Sequence, residues 1–266
     1  MITMLDVEIR RCFARRLVRW LIVLAIGLCA VASVMVYRDT VAAEERGTGG
    51  EFRLVELWVP GGDSVLGVAA FALLIGAVIG GASMIGAEWR AGTFVTLLTW
   101  EPNRARVASA KLIACGAVAT AVAIVVLVVF CAAFLPTAWG PGTTAGVDAD
   151  WLRSLAGAGL RIAALTGLAA VLMASIAMIG RNTAAALGTA FAYLMVVESI
   201  VHAWKPWATR FLLGPNGALF VSGADLDTEE FTRSTMTAGL TLAGYAGVVA
   251  LLAVTIFSRR DVASAG

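Results

Sequence analysis

Lysine and histidine are nearly missing from this sequence: Lys111, Lys205 and His202 are the whole supply in 266 residues. Charged residues make up 14% of the chain, where soluble domains carry about 25%. A formal net charge of +2 gives no electrostatic case for binding nucleic acid. A phosphate-binding loop of the form GxxxxGK[ST] is absent, and both lysines stand in the wrong contexts, so the chain is not an ATPase by that route. HExxH, GxSxG and a Ser/His pair are also absent, so no catalytic residue, cofactor-binding residue or metal ligand is assigned. His202 reads as structural. Cys12, Cys29, Cys115 and Cys131 lack metal-ligand spacing, and with three of them in apolar runs no extracellular disulfide framework is expected.

Apolar sequence is what the chain has in quantity: 60% hydrophobic residues and a mean hydropathy of +0.87. It reads as a single transmembrane domain over 1–266, an all-α integral membrane protein. A span needs about 20 apolar residues. Six runs qualify, at about 17–36, 64–85, 112–135, 157–179, 184–201 and 237–257. The first is too long for the core of a signal peptide and lacks a convincing cleavage site, so it is taken as an uncleaved span. Ahead of it, Leu5, Ile9 and Phe13 fall at helical spacing, with Asp6, Glu8, Arg10, Arg11, Arg15 and Arg16 largely on other faces. Residues 1–16 therefore read either as a helix in the membrane interface or as a basic tail that sets orientation. The segments 37–63, 136–151 and 202–236 are outer loops. Within the first, Phe52, Leu54 and 55–59 are apolar enough for a small ordered segment. In the third, 211–213 and 218–221 are too short to cross; they dip into the membrane or lie on it. Counting Lys and Arg gives twelve on the side of the termini and eight on the other, which puts both termini in the cytoplasm. The eight tryptophans all fall near span ends or in loops, as interface anchors do.

One charged island, 86–111, separates the second and third runs. Gly92 breaks the preceding helix and Thr93 can cap a new one. Phe94, Leu97 and Leu98 fall at i, i+3 and i+4, an apolar face. Pro102 stops that short helix, and Asn103 can cap the next. Arg104, Arg106 and Lys111 then load the entry of the third span with positive charge. A short amphipathic helix held between two spans suits docking onto another protein.

The pattern Glu88, Gly92-Thr93, Leu97-Leu98, Pro102, Arg104 and Lys111 resembles the permease subunits of ABC-2-type transporters, and the six-span layout is similar too. The resemblance implies an interfacial elbow helix at 1–16. It also implies a cytoplasmic coupling helix within 86–111, seated in a cleft of a separate ATPase. Glu88, Gly92, Thr93, Phe94, Leu97, Leu98 and Arg104 would carry the coupling. The implied function is the membrane half of a bacterial ATP-driven exporter in the cell membrane, acting on a hydrophobic or amphipathic substrate. Its partners would be two ABC ATPase copies, a second permease copy or a related permease, and membrane lipids, with ATP and Mg bound on the ATPase. Glu88 would contact or orient the coupling helix, or else pair with Arg90 or Arg104. Arg104 and Arg106 would serve either partner contact or anchoring on anionic lipid heads. An ATPase-independent secondary transporter and a membrane anchor protein are the alternatives.

Two ionisable residues lie in apolar runs, Arg161 and Glu198. Charge in hydrocarbon is costly and faces protein or a wet cavity. They pair, or Glu198 lines a substrate route, or both snorkel to the outer interface. Two small-residue faces are candidates for helix packing: Gly76 with Gly80, and Gly239, Ala243 and Gly247.

Overall fold

The computed structural model describes residues 2–46, 52–59, 64–227 and 232–259. Parts of the outer segments 37–63 and 202–236, and the residues after Arg259, lie outside the described residues. Among the described residues eleven α-helices follow in order: α1 (Ile2–Ala14), α2 (Arg16–Glu45), α3 (Val65–Arg90), α4 (Thr93–Trp100), α5 (Arg104–Ala133), α6 (Leu135–Trp139), α7 (Ala149–Gly180), α8 (Thr183–Ala192), α9 (Glu198–Trp204), α10 (Leu213–Ser222) and α11 (Thr235–Arg259). A 3-10 helix covers Leu54–Leu57, another Pro206–Phe211, and a π-helical turn, Tyr193–Val197, joins α8 to α9. Two short strands, β1 (Leu226–Asp227) and β2 (Thr232–Arg233), pair antiparallel with Leu226 opposite Arg233.

Among the described residues six helical stretches are long and apolar enough to cross a membrane: Arg16–Glu45, Val65–Arg90, Arg104–Trp139, Ala149–Gly180, Thr183–Trp204 and Thr235–Arg259. The chain is thus a multi-pass membrane protein. The helices outrun the apolar segments that define them. α2 runs on through Arg38 and Asp39, and α5 begins at Arg104, because helical backbone satisfies its own hydrogen bonds beyond the hydrocarbon edge as well as within it.

α7 is the hub. In its most apolar stretch 61% of residues are buried within the chain, against 6% for α2 and for the α8–α9 span. It packs on α3, α5, α10 and α11. Close approach comes from glycines at crossings: a Cβ on Gly81 would strike the Ala170 backbone, and one on Gly116 would strike Val171. Gly76 has no neighbour within 4 Å, and Gly80 meets only a Leu21 methyl, at 3.8 Å. The tight packing of α3 inside the chain therefore uses Gly81, one residue past Gly80, and Gly86, where a Cβ would strike Thr183. On α11, Gly239 does meet the Phe220 ring, whereas Gly247 has no neighbour within 4 Å and Ala243 is exposed.

Two core clusters stack along the bundle. One, around Ile85, Cys115, Met173 and Met178, adjoins α1, α4 and Phe257 of α11. The other, around Phe52, Leu57, Trp58, Phe134 and Ile162, fills the far end. There the apolar segment 52–59 is ordered as expected. Leu54 N–H donates to Thr143 O at 3.1 Å and Thr143 N–H to Phe52 O at 2.9 Å. Trp58 is not a membrane anchor. It is buried, its Nε1–H donating to Ser154 Oγ at 2.8 Å, while Trp151 Nε1–H donates to Trp58 O at 3.0 Å.

Candidate functional site

α4 is set off by two backbone devices. Gly92 takes a left-handed φ of +65°, open to glycine at little cost, and turns the chain out of α3. Thr93 does not cap α4: its hydroxyl donates back to Glu88 O at 3.1 Å. After α4, Pro102 and Asn103 start α5, and the Asn103 side chain accepts Arg106 N–H at 3.0 Å. Arg106 also pairs with Glu101 at 3.3 Å.

The expected apolar face of α4 turns inward. Phe94 is 1% exposed. Its ring centroid lies 4.6 Å from that of Trp89 and 5.2 Å from that of Phe257. Leu98 packs on the same core, and Leu97 is half-buried. Phe94 thus anchors α4 on its own bundle, with its ring turned away from the outer side of that helix. The reason is competition: Trp89 and Phe257 offer it a pocket within the chain. The outward side carries Thr93, Thr96, Thr99 and, at 84% exposure, Trp100. Arg181, at the turn between α7 and α8, lies with its guanidinium carbon 4.7 Å from the Trp89 ring centroid.

Beneath α4 lies a buried charge network that sequence reasoning missed. Lys111 of α5 is buried, and its Nζ donates to Glu8 Oε2 of α1 at 2.8 Å. The same Nζ lies 2.8 Å from Glu88 Oε2 of α3 and 5.6 Å from the centre of the Phe94 ring, within cation–π range. Glu88 Oε1 accepts from Arg15 Nη2 at 2.6 Å, and Glu8 Oε1 from Arg11 Nη1 at 3.1 Å. Glu88 therefore pairs with Arg15 and Lys111, from other elements, rather than with Arg90 or Arg104. Glu8, placed above on a polar face, is 4% exposed. Phe13, taken as apolar anchor, is 42% exposed. The buried face of α1 is Leu5, Glu8, Ile9 and Cys12. A clue was available: Glu8 and Cys12 share a face at i and i+4 with Leu5. Cys12 sits against this network. Burial first, then the charge of Glu8, pushes its thiol pKa up from 9.0 to about 11, with Arg15 and Lys111 pulling the other way.

Glu198 and Arg161 do not pair. Glu198 Oε1 accepts Gly214 N–H at 2.9 Å, at the start of α10. Arg161 lies at the other end of that helix, where a Cβ on Gly223 would overlap its guanidinium. Asn216 holds α10 down: its amide donates to Leu212 O at 2.6 Å and Arg210 O at 2.8 Å, and its oxygen accepts from Arg233 at 2.9 Å. Among the described residues no group of three His, Cys, Asp or Glu side chains is gathered for a metal. No protein-family model matches the chain, and no curated protein sequence matches it.

Proposed function

We propose that the chain is the membrane-spanning permease subunit of an ATP-binding cassette exporter, with α4 as the coupling helix and α1 as the elbow helix on the cytoplasmic side of a bacterial cell membrane. The observation that carries this reading is the build of α4. It is a short helix isolated by Gly92 and Pro102, pinned inward by Phe94, and exposing threonines and Trp100. Such a helix can receive a push on its outer side and deliver it to α3 and α5 without being crushed. A second copy, or a related permease, completes the pathway, and two separate ATPase copies bind ATP and Mg. An apolar substrate suits the cleft of about 530 Å³ at the far end, lined by Leu54, Leu57, Cys131, Leu135, Trp139 and Trp151 among others.

The test is purification of the tagged chain from its native membrane in mild detergent, with mass spectrometry of what accompanies it. The same is done for Trp100→Asp. An ABC ATPase that accompanies the parent and is lost from Trp100→Asp supports the assignment. A parent chain that comes down intact without any ATPase overturns it. One observation favours an ATPase-independent secondary transporter instead: the fifth span carries a π-helical turn just before Glu198, and such turns inside helices are frequent at functional sites. That reading requires transport to persist in vesicles without nucleotide.

A further inference from the structure

Resting on the reading of α4 as the docking helix, we infer that Lys111 is a positioning residue that makes α1 part of the docking module. One ammonium group, 3% exposed at the side chain, touches three helices besides its own. It bonds Glu8 of α1 and Glu88 of α3 at 2.8 Å each and lies over the Phe94 ring of α4. Replacing a buried ionic group by packed hydrophobes is often neutral or stabilising, so stability alone does not call for this arrangement. What a shared lysine supplies is registry. It has three donors at one point, and two are aimed at carboxylates from different helices, so neither helix can slide without stranding a buried charge. The second oxygens of those carboxylates are taken by Arg11 and Arg15, which leaves Glu8 and Glu88 fully paired. Arg15 also reaches Ser83 O of α3 at 3.5 Å. α1 is therefore held by the bundle and not by the membrane surface alone, and a displacement of α4 is felt by α1 through Lys111.

Cys12 reports on this lock, because it is 1% exposed and sealed under α1 next to Glu8. Cys115, 2% exposed on α5 with its thiol 3.7 Å from Ala170 O, reports on the bundle itself. The experiment uses the full chain in native membranes with Cys29 and Cys131 replaced by serine. N-ethylmaleimide is applied and the modified cysteine identified by mass spectrometry, for the parent, Lys111→Met and Glu8→Gln. The ATPase accompanying each purified variant is measured in parallel. The expected result is labelling of Cys12 faster by about tenfold in both variants, with Cys115 still protected and less ATPase retained. If Lys111→Met also opens Cys115, the bundle has loosened, and Glu8→Gln, which keeps the Lys111–Glu88 pair, decides by the same criterion. Protection of Cys12 equal to the parent's overturns the lock. Opening of Cys12 with ATPase retention unchanged overturns its part in docking. Absence of any ATPase with the parent overturns the proposed function and leaves Cys12 labelling to decide the lock.

Discussion

Glu198 Oε1 accepts the backbone N–H of Gly214 at 2.9 Å. An acid from the fifth span thereby caps the N-terminus of α10, while Arg161 of the fourth span stands at its C-terminal glycine. The two charges match the helix dipole end for end. Replacing Glu198 by Ala should cost about 1 kcal/mol, as loss of a cap does. Glu198→Gln keeps an acceptor oxygen and should stay within about 0.5 kcal/mol of the parent. Thermal unfolding of the purified protein distinguishes them. Equal losses for Ala and Gln would show that charge, not the hydrogen bond, holds α10.

Close helix approach at Gly81 makes a second contrast. Gly81→Ala drives a methyl into the Ala170 backbone and should destabilise by about 1–3 kcal/mol. Gly76→Ala meets nothing within 4 Å and should be neutral or stabilising by up to about 1 kcal/mol. Unfolding temperatures in the same detergent rank the two. A loss for Gly76→Ala as large as that for Gly81→Ala would relocate the α3 crossing.

The two aromatic residues of α4 should behave oppositely. Phe94→Ala empties a packed site against Trp89 and Phe257 and should cost about 3–5 kcal/mol, visible as lost yield of folded protein. Trp100→Ala removes an exposed ring and should change stability by less than about 0.5 kcal/mol, while reducing the co-purified ATPase. A Trp100→Ala chain that misfolds would mean that its indole is packed against something in the membrane.

Cys12 supplies a pH signature. Its folded pKa of about 11 lies above the ordinary 9.0, so the folded chain holds the thiol proton more tightly than the unfolded chain. The stabilisation is complete below pH 9 and is lost as pH rises from there through about 11. Thiolate is the reactive form. Maleimide labelling of Cys12 should therefore keep rising with pH above 9, where an ordinary thiol levels off. Levelling near pH 9 would contradict the burial described.

The six spans were legible in the sequence because apolar runs near 20 residues have few other uses. The bounds of α4 were legible for a similar reason: Gly92, Pro102 and Asn103 each restrict the backbone locally. Which way α4 faces was not, because Phe94 is claimed by Phe257, more than 160 residues downstream, and local spacing carries no record of that. The same holds for the network around Lys111. Charged residues at a span end suggest solvent or lipid headgroups, and the pairing of Glu8 with Lys111 depends on how α1 folds back against α5. The Gly76 and Gly80 spacing misled because small residues four apart permit close packing without requiring it.

The central position of α7 bears on assembly during synthesis. Its apolar stretch has a mean hydropathy of 2.3, below the 3.0 of the third span, yet it is the most enclosed of the six. The earlier spans can enter lipid on hydropathy alone as they emerge from the ribosome, and α2 and α3 already meet α5, but the helix that encloses α3 and α5 most fully is missing until residue 149 and beyond have been made. A nascent chain halted before that point would leave Gly81 and Gly116 facing lipid with their crossings unfilled. Quality-control proteases that survey the bilayer would meet those spans as loose helices, and only completion of the fourth would remove them from view.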